Sequence, residues 1–214
     1  MNNIIVLGKY NRRKRIMEIN ELLKWIEERN RNGEGYSKKD IIKIADEILD
    51  EIKCYSRRGA TPIVKIARQF DFKTYKETLS KDKSGDIYVN GDTEQKYQNS
   101  KVIIVNNKED LFHLRFVIAH ELAHYLFDFL GNDKYEDTDI TFTEPYTRDQ
   151  HETEKEKRAN VFAAELMMPE ELFVKQYDIA KSAKNNHVFI VTYLSRFFET
   201  SIDSIERRIK EVVL

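Results

Sequence analysis

Arg115-Phe-Val-Ile-Ala-His-Glu-Leu-Ala-His-Tyr-Leu-Phe127 is the stretch on which the reading of this chain turns. Inside it, His120-Glu121-Leu122-Ala123-His124 is an H-E-x-x-H. Leu111, Leu114, Val117, Ile118, Leu122 and Leu126 recur at helical spacing, and Gly131 follows the last of them as a stop. Asn107 is the expected cap, its side-chain oxygen taking a free N–H of the first turn. Asp110 adds negative charge at the end of the helix dipole that favours it. An α-helix turns once in about 3.6 residues, so side chains four apart lie one above the other. His120 and His124 therefore present two imidazoles to one point, which suits zinc. Glu121 lies roughly 100° round the helix, too far to share that point but placed to reach a water beside it. With five histidines in 214 residues, chance would yield roughly 0.01 such pentads. The competing reading is a core helix carrying two surface histidines.

A catalytic zinc takes three protein ligands and leaves its fourth position to water. The segment Thr153-Glu-Lys-Glu-Lys-Arg-Ala-Asn-Val-Phe-Ala-Ala-Glu-Leu-Met-Met-Pro169 is again helical, with Ala159, Phe162, Ala163, Leu166 and Met167 as its apolar stripe. Glu156 begins that buried face, and a carboxylate there needs a partner because an unpaired buried charge is costly. Zinc would be that partner. Asn160, one turn on, can hydrogen-bond the far nitrogen of a ligand histidine and fix its tautomer. Asp128, four residues after His124, is a second candidate for the same role. Glu152 and Glu154 read as solvated residues of a Glu/Lys-rich helix and are the fallback ligands if the register slips.

Arg115-Phe116 with Ala119 to His124, followed by Glu156-Lys-Arg-Ala-Asn-Val-Phe-Ala-Ala-Glu-Leu-Met-Met-Pro169, resembles the ImmA/IrrE family of zinc metallopeptidases. Two motifs in the right order are far more specific than the pentad alone. The resemblance covers about residues 60 to 175 and, more loosely, the C-terminal end. It implies an α+β fold, a minimal thermolysin-like zincin with a small antiparallel or mixed sheet packed on the H-E-x-x-H helix. It implies that His120, His124 and Glu156 hold Zn2+ and that Glu121 is the base. It further implies an intracellular enzyme that cuts a helix-turn-helix repressor. The chain departs from the family pattern in a long polar stretch between the motifs and in about 57 residues ahead of them.

An apolar content of 41% can build a core, while 34% charged residues and a mean hydropathy of −0.63 demand a very polar surface. The net charge of −1 gives no overall pull toward nucleic acid or membrane. The single cysteine, Cys54, cannot form an internal disulfide, which fits a reducing compartment and a cytoplasmic location. Near the start only Ile4 to Leu7 are consecutively apolar, too short for a signal-peptide core. No run approaches the roughly 20 apolar residues of a membrane span.

Three segments are expected: a helical extension over 1–57, the zincin-like domain over 58–180, and a helix-turn-helix-like pair over 181–214. Residues 3 to 7 suit a short strand, and the basic run Lys9 to Arg15 a solvated lead-in. Two amphipathic helices follow, separated by Asn30-Arg-Asn-Gly-Glu-Gly35, with Ser37 capping the second. They must dock on something to bury their apolar faces. Thr61-Pro62 reads as N-cap and first residue of a helix through Phe70. Strands are expected over 72–79, 86–90 and 101–105, the last inside the sheet and 86–90 at an edge where an extended peptide can pair. His113, two turns before His120, is placed outside the site. Residues 132–150 are polar and long for a loop in a compact domain. Tyr146 and His151, in or beside that loop, are candidate oxyanion donors by position alone. Pro169 opens a short helix to Tyr177. Helices over 188–198 and 202–213 end the chain, with Arg196, Arg207, Arg208 and Lys210 as the residues that could touch phosphate. Nearby Glu199, Asp203, Glu206 and Glu211 largely cancel them, so the pair reads as structural or substrate-docking. The expected partner is a protein substrate, with no membrane or nucleic acid. The rivals are a catalytically silent zincin-fold binding protein and a DNA-associated regulator.

Overall fold

The structure, a computed structural model, describes residues 18–52, 59–89, 96–132, 140–142, 153–184 and 186–214. Helices α1 (Ile19–Arg31) and α2 (Lys38–Ile52) form the expected hairpin. Leu22 and Ile26 of α1 and Ile41, Ile44, Ala45, Ile48 and Leu49 of α2 are buried, each set at helical spacing. Ser37 starts α2 as expected. Its hydroxyl accepts from the Asp40 N–H at 3.2 Å, and its own N–H donates to the Asp40 carboxylate at 3.0 Å.

Helix α3 (Ile63–Gln69) begins one residue later than expected. Thr61 does not cap it; Pro62 holds the cap position, and the buried Thr61 hydroxyl donates instead to the Leu166 carbonyl at 2.7 Å. A buried hydroxyl takes the nearest free acceptor, and the last turn of a helix supplies one.

Strands β1 (Lys73–Glu77), β2 (Gly85–Val89), β3 (Lys101–Asn106) and β4 (Ile140–Phe142) make one mixed sheet in the order β1-β3-β2-β4. β1 runs parallel to β3, while β2 is antiparallel to both β3 and β4. β3 is internal, as its uniformly apolar sequence requires. The expectation that 86–90 is an edge fails, because β4 pairs with β2 from Ile87 to Val89. The described register of that pairing ends at Ile87.

Helix α4 (Leu111–His124) packs on the face of the sheet that carries Ile87, Val89, Ile103 and Val105. Asp110 caps it, its carboxylate accepting from the Phe112 N–H at 2.8 Å. Asn107, the expected cap, instead exchanges side-chain hydrogen bonds with Thr78 beyond the end of β1. Both residues can cap, and the one three places closer to the first helical residue does so. A π turn, Tyr125–Phe129, continues α4, and Gly131 ends it at φ +70°.

Helices α5 (Glu154–Met167), α6 (Glu170–Ala183), α7 (His187–Phe198) and α8 (Ile202–Val212) complete the described chain. α6 outruns its expected end at Tyr177 because Phe173, Gln176 and Ala180 carry one buried stripe past it. One cluster of buried apolar residues runs without a break from Leu22 to Ile209.

Candidate metal centre

Helix α4 is apolar almost all round, as a helix covered on several sides should be. Its last turns therefore carry His120, Glu121 and His124 into the interior, where all three are buried. α5 packs across it and adds Glu156 from its first turn, where Thr153 caps the helix by accepting from the Glu156 N–H at 3.2 Å. The His120 Nε2 lies 3.1 Å from one Glu156 oxygen and the His124 Nε2 lies 3.2 Å from the other. The two Nε2 atoms are 3.0 Å apart. The sequence placed these three residues together, and the structure brings them together.

The far side of each imidazole is also held. His120 Nδ1 sits 3.0 Å from Asn160 Oδ1, and His124 Nδ1 sits 3.0 Å from Asp128 Oδ2. Both partners accept, so each ring keeps a proton on Nδ1 and presents Nε2 to the shared point. Asp128 is fixed in turn by Arg158, whose guanidinium donates to Oδ1 at 2.6 Å, with Lys155 at 3.8 Å. Two ring nitrogens and a carboxylate this close need a positive charge among them, a proton in the bare site or a metal cation in the loaded one. Tetrahedral zinc with bonds of about 2.0–2.1 Å sets its ligand atoms roughly 3.3 Å apart. The donor types and their spacing fit such an ion.

The charges follow from this packing. Burial alone would raise the Glu156 carboxyl, but hydrogen bonds from His120 and His124 outweigh it and hold Glu156 well below the ordinary carboxylate range. Glu121 goes the other way. Burial raises its carboxyl, the two histidines offset part of that, and Asp86 and Glu156 add to it. A carboxylate raised in this way accepts a proton more readily than an ordinary one.

Gly85 is a contributor that the sequence did not reveal, since it lies just ahead of the strand expected over 86–90. A Cβ on Gly85 would lie 3.0 Å from Glu121 Oε1 and 2.5 Å from Val117 Cγ1. Glycine therefore lets β2 run against the face of α4 that holds the Glu121 carboxylate. Of the remaining candidates, Glu154 is exposed and paired with Lys157 at 2.7 Å, so it is no ligand. His113 lies 3.5 Å from the Ser84 hydroxyl and outside the ligand group, as expected. Tyr146, His151 and Glu152 fall outside the described residues.

Residues 67–210 match the Peptidase M78 family, described as the IrrE N-terminal-like domain. No curated protein matches the chain. The matched span contains the whole sheet, the H-E-x-x-H helix and the third ligand candidate.

Proposed function

This chain belongs to the Peptidase M78 family of metallopeptidases, and on that premise we propose that it is a zinc-dependent endopeptidase whose substrate is a helix-turn-helix transcriptional repressor. The observation that carries the reading is the meeting of His120, His124 and Glu156, with the raised Glu121 carboxyl on the next position of the same helix. Bound zinc would supply Lewis acidity, acidifying a water toward neutral pH and polarising a peptide carbonyl. Glu121 takes the proton of the attacking water and hands it to the leaving amine. Asn160 and Asp128 keep protons on the Nδ1 atoms, so the ligand lone pairs stay in place.

The substrate class rests on the likeness to the ImmA/IrrE enzymes. Among the described residues no helix is long and apolar enough to cross a membrane, and the lone Cys54 suits a reducing cytoplasm. DNA is not proposed as a partner, because Arg208, one of four basic residues near the C-terminal turn, is buried and paired with Glu165. The test is incubation of purified, zinc-loaded protein with the helix-turn-helix protein encoded beside it, read by mass spectrometry. Glu121→Gln should keep its zinc and lose cleavage by about 10²–10⁴-fold, while His124→Ala should lose the metal. Cleavage at the wild-type rate by Glu121→Gln would remove Glu121 as the base. A repressor left intact by the zinc-loaded wild type would remove the substrate assignment.

A further inference from the structure

The family match begins at residue 67, yet the hairpin ahead of it reaches the outer shell of the metal centre. Asn30, in the last turn of α1, donates through its side-chain amide to the carbonyls of Leu126 at 2.9 Å and Leu130 at 2.7 Å. Those carbonyls belong to the π turn after His124 and to Leu130, the residue that follows it. The last carbonyls of a helix lack partners within it, and a donor on another element can satisfy them. The Asn30 side-chain oxygen is committed as well, accepting from the Tyr36 O–H at 2.7 Å.

Tyr36 continues the contact. Its ring meets Phe127 of the π turn edge-on, with centroids 4.8 Å apart. The Arg158 guanidinium lies over both rings, 5.8 Å from Tyr36 and 5.6 Å from Phe127. Arg158 is the residue that holds Asp128, and Asp128 is the acceptor at His124 Nδ1. A π turn is wider than an α turn and is seldom stable without outside support. Here one face of that support comes from the hairpin.

We propose that Asn30 and Tyr36 are positioning residues of the metal centre, fixing the π turn and Arg158 so that Asp128 stays against His124. The hairpin is thus a part of the ligand frame, and its docking sets how well His124 is aimed. This rests on the reading of His120, His124 and Glu156 as metal ligands. It adds that metal affinity depends on residues outside the family match.

The test compares full-length wild type, Asn30→Ala, Tyr36→Phe and Ile41→Val. Ile41 is buried in α2 and makes none of the hydrogen bonds between Asn30, Tyr36, Arg158, Asp128 and His124, so Ile41→Val loosens the hairpin while leaving those bonds in place. Zinc affinity is measured by chelator competition, and the visible absorption of the Co2+-loaded protein reports ligand geometry. Asn30→Ala should weaken zinc binding by about tenfold, the low end for loss of an outer partner, and shift the Co2+ bands. Tyr36→Phe should change both in the same direction by less. Ile41→Val should lower the melting midpoint and leave both readouts at wild type. If Asn30→Ala folds and binds zinc as wild type does with unchanged Co2+ bands, the proposal is wrong. Equal loss of affinity in Asn30→Ala and Ile41→Val would also sink it, because general loosening would then explain both. Should Asn30→Ala fail to fold, Tyr36→Phe decides by the same criteria. Wild type that binds no zinc would remove the ligand reading itself, a failure separable from the others.

Discussion

His124 is the residue where a proton and a metal compete for one lone pair. Burial alone would lower its pKa, but hydrogen bonds to Asp128 and Glu156 outweigh that and push the metal-free imidazole up to about 9. A group raised in the folded state adds stability that is complete below its unfolded pKa of about 6.5. That stability is lost as the pH rises through the folded value of about 9. Chelator-treated protein should therefore lose thermal stability between these two pH values. Asp128→Asn removes the foremost raising partner and should flatten the loss. A melting midpoint that is level across this range would show that the proton is held elsewhere. Zinc uptake needs the neutral ring, so zinc affinity should weaken as the pH falls. Most of this residue set was legible in the sequence, for a geometric reason. His120 with His124, His124 with Asp128, and Glu156 with Asn160 are each four apart on one helix, and that spacing alone stacks them. Gly85 was illegible because its role is a close approach between a strand and a helix more than thirty residues away, which local pattern does not encode.

At the scale of elements, the turn after His124 shows what periodicity hides. Tyr125, Leu126, Phe127 and Phe129 are all buried, so the apolar pattern is the same for an α turn and for the π turn that forms. Gly131 was readable as a stop, but the second reason for a glycine there was not. Its φ is +70°, and a Cβ would stand 2.5 Å from Glu27 Cγ and 2.7 Å from the Glu27 carbonyl oxygen. The first contact is with a flexible side chain, whereas the second is with the backbone of α1, which cannot move without undocking the hairpin. Gly131→Ala should therefore destabilise the protein by roughly 2–3 kcal/mol, combining the left-handed penalty with overpacking. Urea unfolding measures this, and a loss below about 0.5 kcal/mol would mean that α1 does not press on the turn. β4 escaped the sequence for another reason. Three residues, Ile140-Thr141-Phe142, inside a polar stretch are too few for alternation to register, and so β2 was taken for the edge.

Across the whole molecule, α8 ties the segment of the third ligand candidate to the N-terminal hairpin. Its Arg208, which the sequence offered as a phosphate contact, is buried and donates to the Glu165 carboxylate of α5 and to the Met168 carbonyl at 3.1 Å. Arg208 also pairs with Glu211 at 3.0 Å, and Glu211 with Lys38 at the start of α2 at 2.7 Å. Sequence could not assign Arg208 inward, since its neighbour Arg207 on the same helix is exposed and composition does not distinguish them. Glu165 has a second task, because its other oxygen accepts from the Glu170 N–H at 3.0 Å at the start of α6. Breaking a buried pair costs more than the pair itself is worth, since the remaining charge is stranded. Arg208→Met should therefore cost about 3–5 kcal/mol. Glu165→Gln keeps an acceptor for both Arg208 and the Glu170 N–H and should cost less. The double variant Arg208→Met/Glu165→Gln should be more stable than Arg208→Met alone, because no carboxylate is left unpaired in the interior. Urea unfolding of the four proteins gives the cycle. If the double variant loses the sum of the two single losses, the Arg208 and Glu165 charges do not interact, and the packing of α8 on α5 would then rest on its apolar residues Ile205 and Ile209 alone.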